Sequence, residues 1–311
     1  RILPGAILVR IANSHIRVGT FQYFAARQMT KEIKILADYI IERHFKLSLS
    51  SKNIYEKFLM EIIKSQANLI SKWMSAGFIH GVMNTDNTCL SGETIDYGPC
   101  AFLDIFDYNK VFSSIDYQGR YSYKNQPNII LWNLTRFAET ILPLIDNNLN
   151  KSIKKAEEIL NEFASIYESN WISIMGYKLG IDEANKTDKN LIEEFLTLMQ
   201  NQQLDFTNSF YSLSFLIEKD QIEKEGPPKS HRIYSKIKSS DWYSKWKKRL
   251  NVNKKNLKKI LKTLLINNPS IIPRNHIVEK VLNDAIYENK KDSLNDFLNA
   301  LNDPYKLRTF D

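Results

Sequence analysis

The chain has 311 residues, of which 43% are hydrophobic and 12% aromatic, and it carries a formal charge of +8 at pH 7. This length suffices for one large or two medium domains with a substantial core, and the composition excludes an intrinsically disordered chain. No run approaches the roughly 20 apolar residues that span a bilayer, and no export signal is visible at the start. We therefore expect an intracellular protein with no membrane partner, and the basic excess favours polyanionic partners.

The N-terminal residues Leu3-Pro4-Gly5 predict a turn that leads into an apolar, strand-like run. Arg10 and Arg17 follow, seven residues apart, so that on a helix their guanidinium groups would share one face. Two such groups can hold phosphate oxygens through bidentate hydrogen bonds. The alternative is a pair of surface salt bridges, and the residue pattern alone does not choose between them.

Two amphipathic helices are predicted next, from Lys31 to Phe45 and from Tyr55 to Met74, because their apolar residues recur with the helical period. Gly77 should end the second helix in the left-handed conformation. A loop that contains His80 follows, with a short strand pair around Thr94-Ile95.

This loop has an unusual order of residues. The segment His80-Gly81-Val82-Met83-Asn84-Thr85-Asp86-Asn87, followed by Asp96-Tyr97-Gly98, has the spacing of the catalytic loop and the metal-binding aspartate of protein kinases. Val82 stands where a kinase has its catalytic aspartate, and it can neither accept a proton nor polarise a hydroxyl. The pattern thus indicates ATP chemistry and argues against ordinary kinase chemistry.

Three side chains of the same segment remain suited to chemistry. Asn87 and Asp96 offer an amide oxygen and a carboxylate, the hard ligands that Mg²⁺ prefers beside substrate phosphates. Asp86 is a spare carboxylate next to a proposed ligand and can act as a base. The alternative is a surface loop rich in turn-forming residues that has no chemical role.

Further along, a helix is predicted from Leu131 to Ile145, and the chain is expected to be almost wholly helical from about Lys151. Candidate helices are Lys151–Ile174, Leu191–Gln202, Thr207–Ile217, Asp241–Leu250, Lys254–Leu265, Ile277–Glu288 and Leu294–Leu301. Gly226-Pro227-Pro228 is the best internal linker. We therefore predict two domains, residues 1–150 with the site and residues 151–311, which are helical.

Two other features have competing interpretations. Cys89 and Cys100 are the only cysteines, and we expect reduced packing residues, with a redox-sensitive pair as the alternative. The lysine-rich stretch from Lys229 to Lys262 includes Trp242 and Trp246, a mixture that can bind single-stranded nucleic acid. The helical spacing of its apolar residues instead favours a core with a solvated basic face, which argues against nucleic acid and suits docking of acidic proteins.

Several motifs occur in a fixed order along the chain. They are Ser14–Ala25, His80–Asn87, Thr94–Pro99, Gly119-Arg120-Tyr121, Asn125-Gln126-Pro127 and Trp132-Asn133-Leu134, then Lys178-Leu179-Gly180, Asn268-Pro269 and Arg274-Asn275. Together they closely resemble the selenoprotein O family of protein adenylyltransferases, also called YdiU proteins. The resemblance covers nearly the whole chain. It implies a mainly α chain, α+β in the full-length protein, with a protein-kinase-like large lobe followed by a helical C-terminal domain.

The resemblance also implies an activity and roles for the site residues. The implied activity is Mg²⁺-dependent transfer of AMP from an inverted ATP to Ser, Thr or Tyr hydroxyls of proteins, with Mn²⁺ as an alternative metal and self-modification as an alternative outcome. Asp86 is implied as the proton acceptor, and Asn87 and Asp96 as the metal ligands. Arg10 and Arg17, with Asp96, are implied as the ATP contacts.

Two departures from the family pattern qualify this expectation. Ser113-Ser114-Ile115-Asp116 stands where the family reads Asn-His-Ser-Asp, so only Asp116 is retained. The family's Gly-rich loop and its Lys and Glu pair would lie upstream of Arg1, so we expect the small lobe to be missing from this chain, which weakens ATP binding.

Two other functions remain open from the sequence. One is a phosphotransferase of kinase-like fold, which Val82 argues against, and the other is a catalytically silent pseudokinase that binds partners. The expected location is the bacterial cytoplasm, or the mitochondrion if the source is a eukaryote.

Overall fold

A computed structural model describes residues 5–47, 49–222, 231–253, 255–288 and 290–306. Within these residues the protein is mainly helical, as predicted, and no helix there combines the length and apolarity needed to cross a membrane. The helices are α1 Val18–Ala25, α2 Thr30–His44, α3 Ile54–Ala76, α4 Gln126–Ile145, α5 Leu149–Lys178, α6 Lys189–Gln202, α7 Phe206–Ile222, α8 His231–Lys238, α9 Asp241–Leu250, α10 Leu257–Asn267, α11 Asn275–Tyr287 and α12 Lys291–Asn302. The linker predicted at 226–228 lies outside the described residues.

Most predicted helices are present with shifts of a few residues at their ends. The prediction for α9 is confirmed at both ends, because the Ser240 hydroxyl accepts from Tyr243 N–H at 3.3 Å at its start and Asn251 takes the left-handed conformation at its end. Gly77 ends α3 with φ +68°, as expected, and the Phe206 ring packs where its side chain would be. Both α1 and α8 were absent from the prediction.

Two predictions for extended structure were wrong. The apolar run after Gly5 forms no strand, and Ile7, Leu8 and Val9 are 96%, 75% and 76% exposed. Apolar alternation makes a strand only when another strand pairs with it. The strand pair expected around Thr94-Ile95 is reduced to a single bridge, from Thr94 to Thr88.

The two strands of the small sheet lie before and after the predicted position in the sequence. Strand β1, Phe78–Ile79, pairs antiparallel with β2, Ala101–Phe102, so that Phe78 faces Phe102 and Ile79 faces Ala101. Within the described residues this is the only ladder, so helix packing rather than a sheet supplies the core.

The described residues form two compact units that are interleaved along the sequence. The first takes residues within 1–69, 83–97 and 128–163, and it contains every predicted site residue. Its core includes Phe21, Phe58 and Phe137, with Phe137 in edge contact with both other rings at 5.1 and 5.7 Å. The domain boundary predicted near residue 150 falls at the start of α5 and stays a prediction.

The second unit takes residues within 70–82, 98–127 and 164–311, and its core includes the tryptophans of the basic stretch. Trp242 stacks on Phe195 at 4.1 Å, and Trp246 stacks on Trp242 at 5.3 Å. The indole N–H of Trp246 donates to Leu179 O at 2.8 Å. With 4% and 0% of their surface exposed, Trp242 and Trp246 belong to the core, as the sequence predicted.

A buried lysine ends α5 in the same unit. Lys178 is 5% exposed, and its ammonium group lies 4.5 Å from the ring centre of Phe210 and 5.8 Å from that of Phe206. Burial lowers the pKa of Lys178 to about 7. The side-chain amide of Asn268 donates to Lys178 O at 2.9 Å, so two of the weaker family motifs meet at the end of this helix.

Candidate functional site

Three short chain segments lie side by side in the first unit and form the frame of the candidate site. Arg17 and Cys89 form an antiparallel bridge, next to which Val18 N–H donates to Thr88 O at 3.1 Å. Thr88 in turn bridges Thr94 in the antiparallel sense. Antiparallel pairing brings the residues just before Thr88 and those just after Thr94 to the same end of the pair. The pairing therefore places Asp86 and Asn87 at the same end of these segments as Asp96.

The two predicted arginines meet at the predicted aspartate. Arg10 Nη1 lies 3.1 Å from Asp96 Oδ1, and Arg17 Nη1 lies 3.6 Å from Asp96 Oδ2. The helix on which they would share a face is absent, because residues 10–17 are not helical. Both guanidinium groups nevertheless converge on one carboxylate, and all three side chains are 38% to 44% exposed. The Arg10 guanidinium also lies 5.8 Å from the Tyr97 ring centre.

Asp96 has a constrained backbone. Its φ of +56° lies in the left-handed region, which aspartate and asparagine tolerate better than most residues. Asp96 lies two residues after the bridge at Thr94, and its carboxylate contacts both arginines.

Asp86 lies against the first turn of α1. A Cβ built on Gly19 would lie 2.1 Å from Asp86 Oδ1, so the absence of a side chain at Gly19 makes room for the carboxylate. Asp86 is exposed, which leaves its oxygens accessible to a substrate, and the N-terminal end of a helix favours a negative charge. Sequence reasoning identified Asp86 and missed Gly19, which stands two residues after Arg17 in the Ser14–Ala25 motif.

Asn87 follows at the end of a 3₁₀ turn, Thr85–Asn87, and is half-buried. Its N–H donates to Asn84 O at 3.1 Å, and the same carbonyl accepts from the Thr88 hydroxyl at 3.1 Å. The Asn84 side-chain oxygen is buried and has no hydrogen-bond partner among the described residues. The loop thus holds an unsatisfied amide oxygen next to the proposed metal ligand, an arrangement that normally calls for a donor or a cation.

Glu93 fixes the segment between the two arginines. Its carboxylate accepts from Asn13 N–H at 3.1 Å, from the Asn13 side-chain amide at 2.7 Å and from the Ser91 hydroxyl at 2.8 Å. Arg43 on α2 donates to Asn13 O at 3.0 Å. Because Asn13 lies between Arg10 and Arg17 in sequence, these bonds restrict where both guanidinium groups can reach. Neither Glu93 nor Asn13 was singled out from the sequence.

Buried side chains support the loop from the core. The Asn133 amide on α4 donates to Met83 O at 2.9 Å and to Ile129 O at 3.0 Å, and Asn133 has no exposed surface. The Cys89 thiol donates to Ser14 O at 3.0 Å. Cys89 is buried, Cys100 is half-buried, and no disulfide joins them.

His80 has a structural position in the second unit. Its ring is fully buried and stacks on Trp73 at 5.3 Å, and its Nδ1 accepts from Val82 N–H at 3.4 Å. Asp116 has a similar local role, because its carboxylate accepts from Arg120 N–H and from Tyr121 N–H, each at 2.8 Å. Both side chains therefore shape loops.

The oxygen-bearing side chains near Asp96 suit Mg²⁺ held partly by substrate phosphates better than they suit a metal held only by protein ligands. Within the described residues no group of three or more His, Cys, Asp or Glu side chains could hold a metal ion. Mg²⁺ is usually bound through one or two protein oxygens together with substrate phosphates. The side chains of Asp96 and Asn87 and the unsatisfied oxygen of Asn84 are donors of this chemical kind. The pairing of Asp96 with two arginines means that binding a metal there involves an exchange of partners.

The fold is mainly helical, Arg10 and Arg17 meet at Asp96 on a partly exposed surface, and Asp86 lies against Gly19, two residues after Arg17. The chain belongs to the protein adenylyltransferase SelO family, which matches residues 2–302.

The chain is also similar to proteins named protein nucleotidyltransferase YdiU. It is 46% identical over 303 residues to that of Clostridium botulinum (strain 657 / Type Ba4), covering 97% of this chain and 60% of the relative. It is 48% identical over 307 residues to that of Clostridium perfringens (strain ATCC 13124), covering 98% of this chain and 60% of the relative. The chain thus spans about 60% of the length of these relatives.

Proposed function

We propose that this chain carries the nucleotide and metal site of a protein adenylyltransferase, which transfers AMP from ATP to Ser, Thr or Tyr hydroxyls of proteins. Membership of the family and the names of the relatives support the class of reaction. The observation that carries the proposal is local: Arg17 pairs with Asp96 at 3.6 Å, and Gly19, two residues later, makes room for Asp86. The segment from Arg17 to Gly19 thus contacts both Asp96, the proposed metal ligand, and Asp86, the proposed base.

In the proposed reaction the acceptor hydroxyl oxygen forms a bond to the α-phosphorus of ATP. The bond from that phosphorus to the oxygen shared with the β-phosphate breaks, and pyrophosphate leaves. The hydroxyl proton passes to an oxygen of Asp86, whose ionised carboxylate can only accept. The exposure of Asp86 supports this role, because the acceptor must approach from outside the protein.

Arg10 and Arg17 would neutralise the far end of the triphosphate, as expected for the inverted orientation that presents the α-phosphorus. Guanidinium groups suit this task because they stay charged and donate two parallel hydrogen bonds to phosphate. Asn87 and Asp96 would hold Mg²⁺, which supplies further positive charge at the phosphates when bound. As the arginines turn to the phosphates, Asp96 is released from its two ion pairs. Metal and nucleotide binding should therefore be coupled.

The test is transfer of label to protein from ATP that is labelled at the α- or at the γ-phosphate, with the complete gene product that contains this sequence. Label from the α-position alone, lost in Asp96→Ala, is the expected result. Label from the γ-position would replace the proposal with a phosphotransferase, and no label from either would favour a catalytically silent binding protein. Mn²⁺ as the metal, self-modification and a cytoplasmic location remain predictions from the sequence.

A further inference from the structure

Helices α9 and α10 are joined by a turn at residues 251–256, of which residue 254 lies outside the described part. Side-chain hydrogen bonds hold this turn: Asn253 N–H donates to the Asn256 side-chain oxygen at 2.8 Å, and the Asn256 amide donates to Asn251 O at 3.0 Å. Asn251 ends α9 with φ +48°. The last turn of α9 and the first turn of α10 are therefore fixed close to each other.

Four exposed lysines lie in this turn and in the helices on either side of it. Lys248 is in the last turn of α9, Lys255 is in the connecting turn, and Lys258 and Lys262 are four residues apart on α10 and so share a face. We call these four residues the basic turn. None of them makes an ion pair with any residue in the described part of the chain.

Three other cations on the same two helices form ion pairs, and the Lys247 ammonium lies 5.5 Å from the Tyr243 ring centre. The pairs are Lys245 with Glu194 at 2.8 Å, Arg249 with Asp188 at 2.6 Å and Lys259 with Asp182 at 2.5 Å. These contacts fasten α9 and α10 to neighbouring elements of the same unit. The paired cations thus serve the fold, and the basic turn is left facing solvent.

The charges of the basic turn also repel one another. The first turn of α10 contains no acidic residue, and a helix N-terminus already carries a partial positive charge. Lys255 and Lys258 add charge of the same sign at this end. An anionic partner would relieve this repulsion, so the surface is complementary to negative charge.

The structure favours an acidic protein segment over nucleic acid as that partner. Single-stranded nucleic acid is usually bound by aromatic rings on which bases stack. The aromatic residues of α9 and α10, Trp242, Tyr243 and Trp246, are only 4%, 6% and 0% exposed, so their faces are not available to bases. Resting on the proposed function, we propose that the basic turn docks an acidic segment of the acceptor protein.

The first experiment is a titration of the chain into a short fluorescein-labelled peptide rich in glutamate, followed by fluorescence anisotropy. Binding should weaken with added salt, because the contacts are between exposed charges. The double variant Lys258→Glu, Lys262→Glu should bind at least about tenfold more weakly. The matched control, Lys280→Glu with Lys291→Glu, makes the same change in net charge on exposed residues of α11 and α12 and should bind like the wild type.

Three results would overturn the docking surface: no binding of the peptide, equal binding by the Lys258→Glu, Lys262→Glu variant, or tighter binding of a single-stranded DNA of equal charge. In the transfer assay, the same variant should raise KM for an acidic acceptor protein and leave KM for ATP unchanged. The peptide titration does not require AMP transfer. Its failure therefore rejects the docking surface alone, and a failure to transfer the α-phosphate label rejects the proposed function.

Discussion

The carboxylate of Asp86 occupies the space that a side chain on Gly19 would fill, since a Cβ there would lie 2.1 Å from Asp86 Oδ1. Gly19 is not among the residues with positive φ, so glycine is needed here for close approach and not for an unusual backbone conformation. The position of Asp86, the proposed base, thus depends on Gly19 having only a hydrogen atom in place of a side chain.

Gly19→Ala should lower kcat for AMP transfer by about 10- to 100-fold, because a displacement of about 1 Å at a reacting group has effects of this size. The free energy of unfolding should change by less than about 1 kcal/mol, since the displaced atom ends a short exposed side chain. Gly5→Ala is the matched control, as nothing lies within 4 Å of a Cβ at Gly5. Full activity in Gly19→Ala would contradict the assignment of Asp86 as base.

Asp96→Ala should abolish transfer and leave thermal stability nearly unchanged. The carboxylate is 44% exposed, and ion pairs at such sites contribute about 0 to 1 kcal/mol. Asp96→Asn is a gentler variant, because asparagine also tolerates the φ of +56° and only the charge is lost. Thermal unfolding measures the stability of each variant, and electron paramagnetic resonance of Mn²⁺ measures whether the variant still binds the metal. A folded Asp96→Ala protein that keeps its activity and its metal would refute the role.

Arg10→Ala and Arg17→Ala should each weaken binding of a non-hydrolysable ATP analogue by about tenfold or more, since hydrogen bonds to charged groups contribute about 1.5 to 3 kcal/mol. Arg27→Ala is the control, because Arg27 is an exposed arginine whose guanidinium lies 3.7 Å from the Tyr23 ring centre. Isothermal titration calorimetry gives the affinities. Unchanged affinity in both site variants would mean that these arginines serve only as ion-pair partners of Asp96.

Lys178 should make stability depend on pH. Burial lowers its pKa from 10.5 to about 7 in the folded protein, so between these values the unfolded state binds one more proton than the folded state. The free energy of unfolding should therefore rise as the pH rises from about 7 to 10.5, by at most about 5 kcal/mol from this group.

Lys178→Met removes the titrating group and keeps an apolar chain of similar length. The variant should be more stable than the wild type at pH 7, and the difference should shrink toward pH 10.5. Urea unfolding at several pH values measures it. A constant difference across this range would show that Lys178 stays charged when folded.

Helical periodicity in the sequence predicted most of the fold because apolar stripes direct long helices into a core. It failed for α1, a helix of eight residues in which only Val18 and Phe21 are buried. A pattern so short has too few turns to reveal a period. The apolar run at Ile7, Leu8 and Val9 failed for a different reason, because strand formation depends on a partner that a local pattern does not contain.

For the candidate site, the sequence named residues whose chemistry is visible in their side chains. Arg10 and Arg17 do converge with Asp96, although through a non-helical segment and not through a helix. The sequence did not reveal Gly19 or Glu93, because their importance comes from contacts between residues that are distant in the chain. Spacing motifs thus indicate candidate site residues, and tertiary structure is needed to find the residues that hold them in place.

The thiol of Cys89 lies under the frame of the site, bonded to Ser14 O and bridged through its backbone to Arg17. An alkylating reagent can reach this sulfur only when the segments on either side separate. The rate at which Cys89 is alkylated in the folded protein therefore measures how often these segments open, and the half-buried Cys100 serves as an internal reference. If a bound nucleotide holds the arginines and the loop together, Cys89 should be alkylated more slowly with nucleotide present than without it, even when no AMP is transferred.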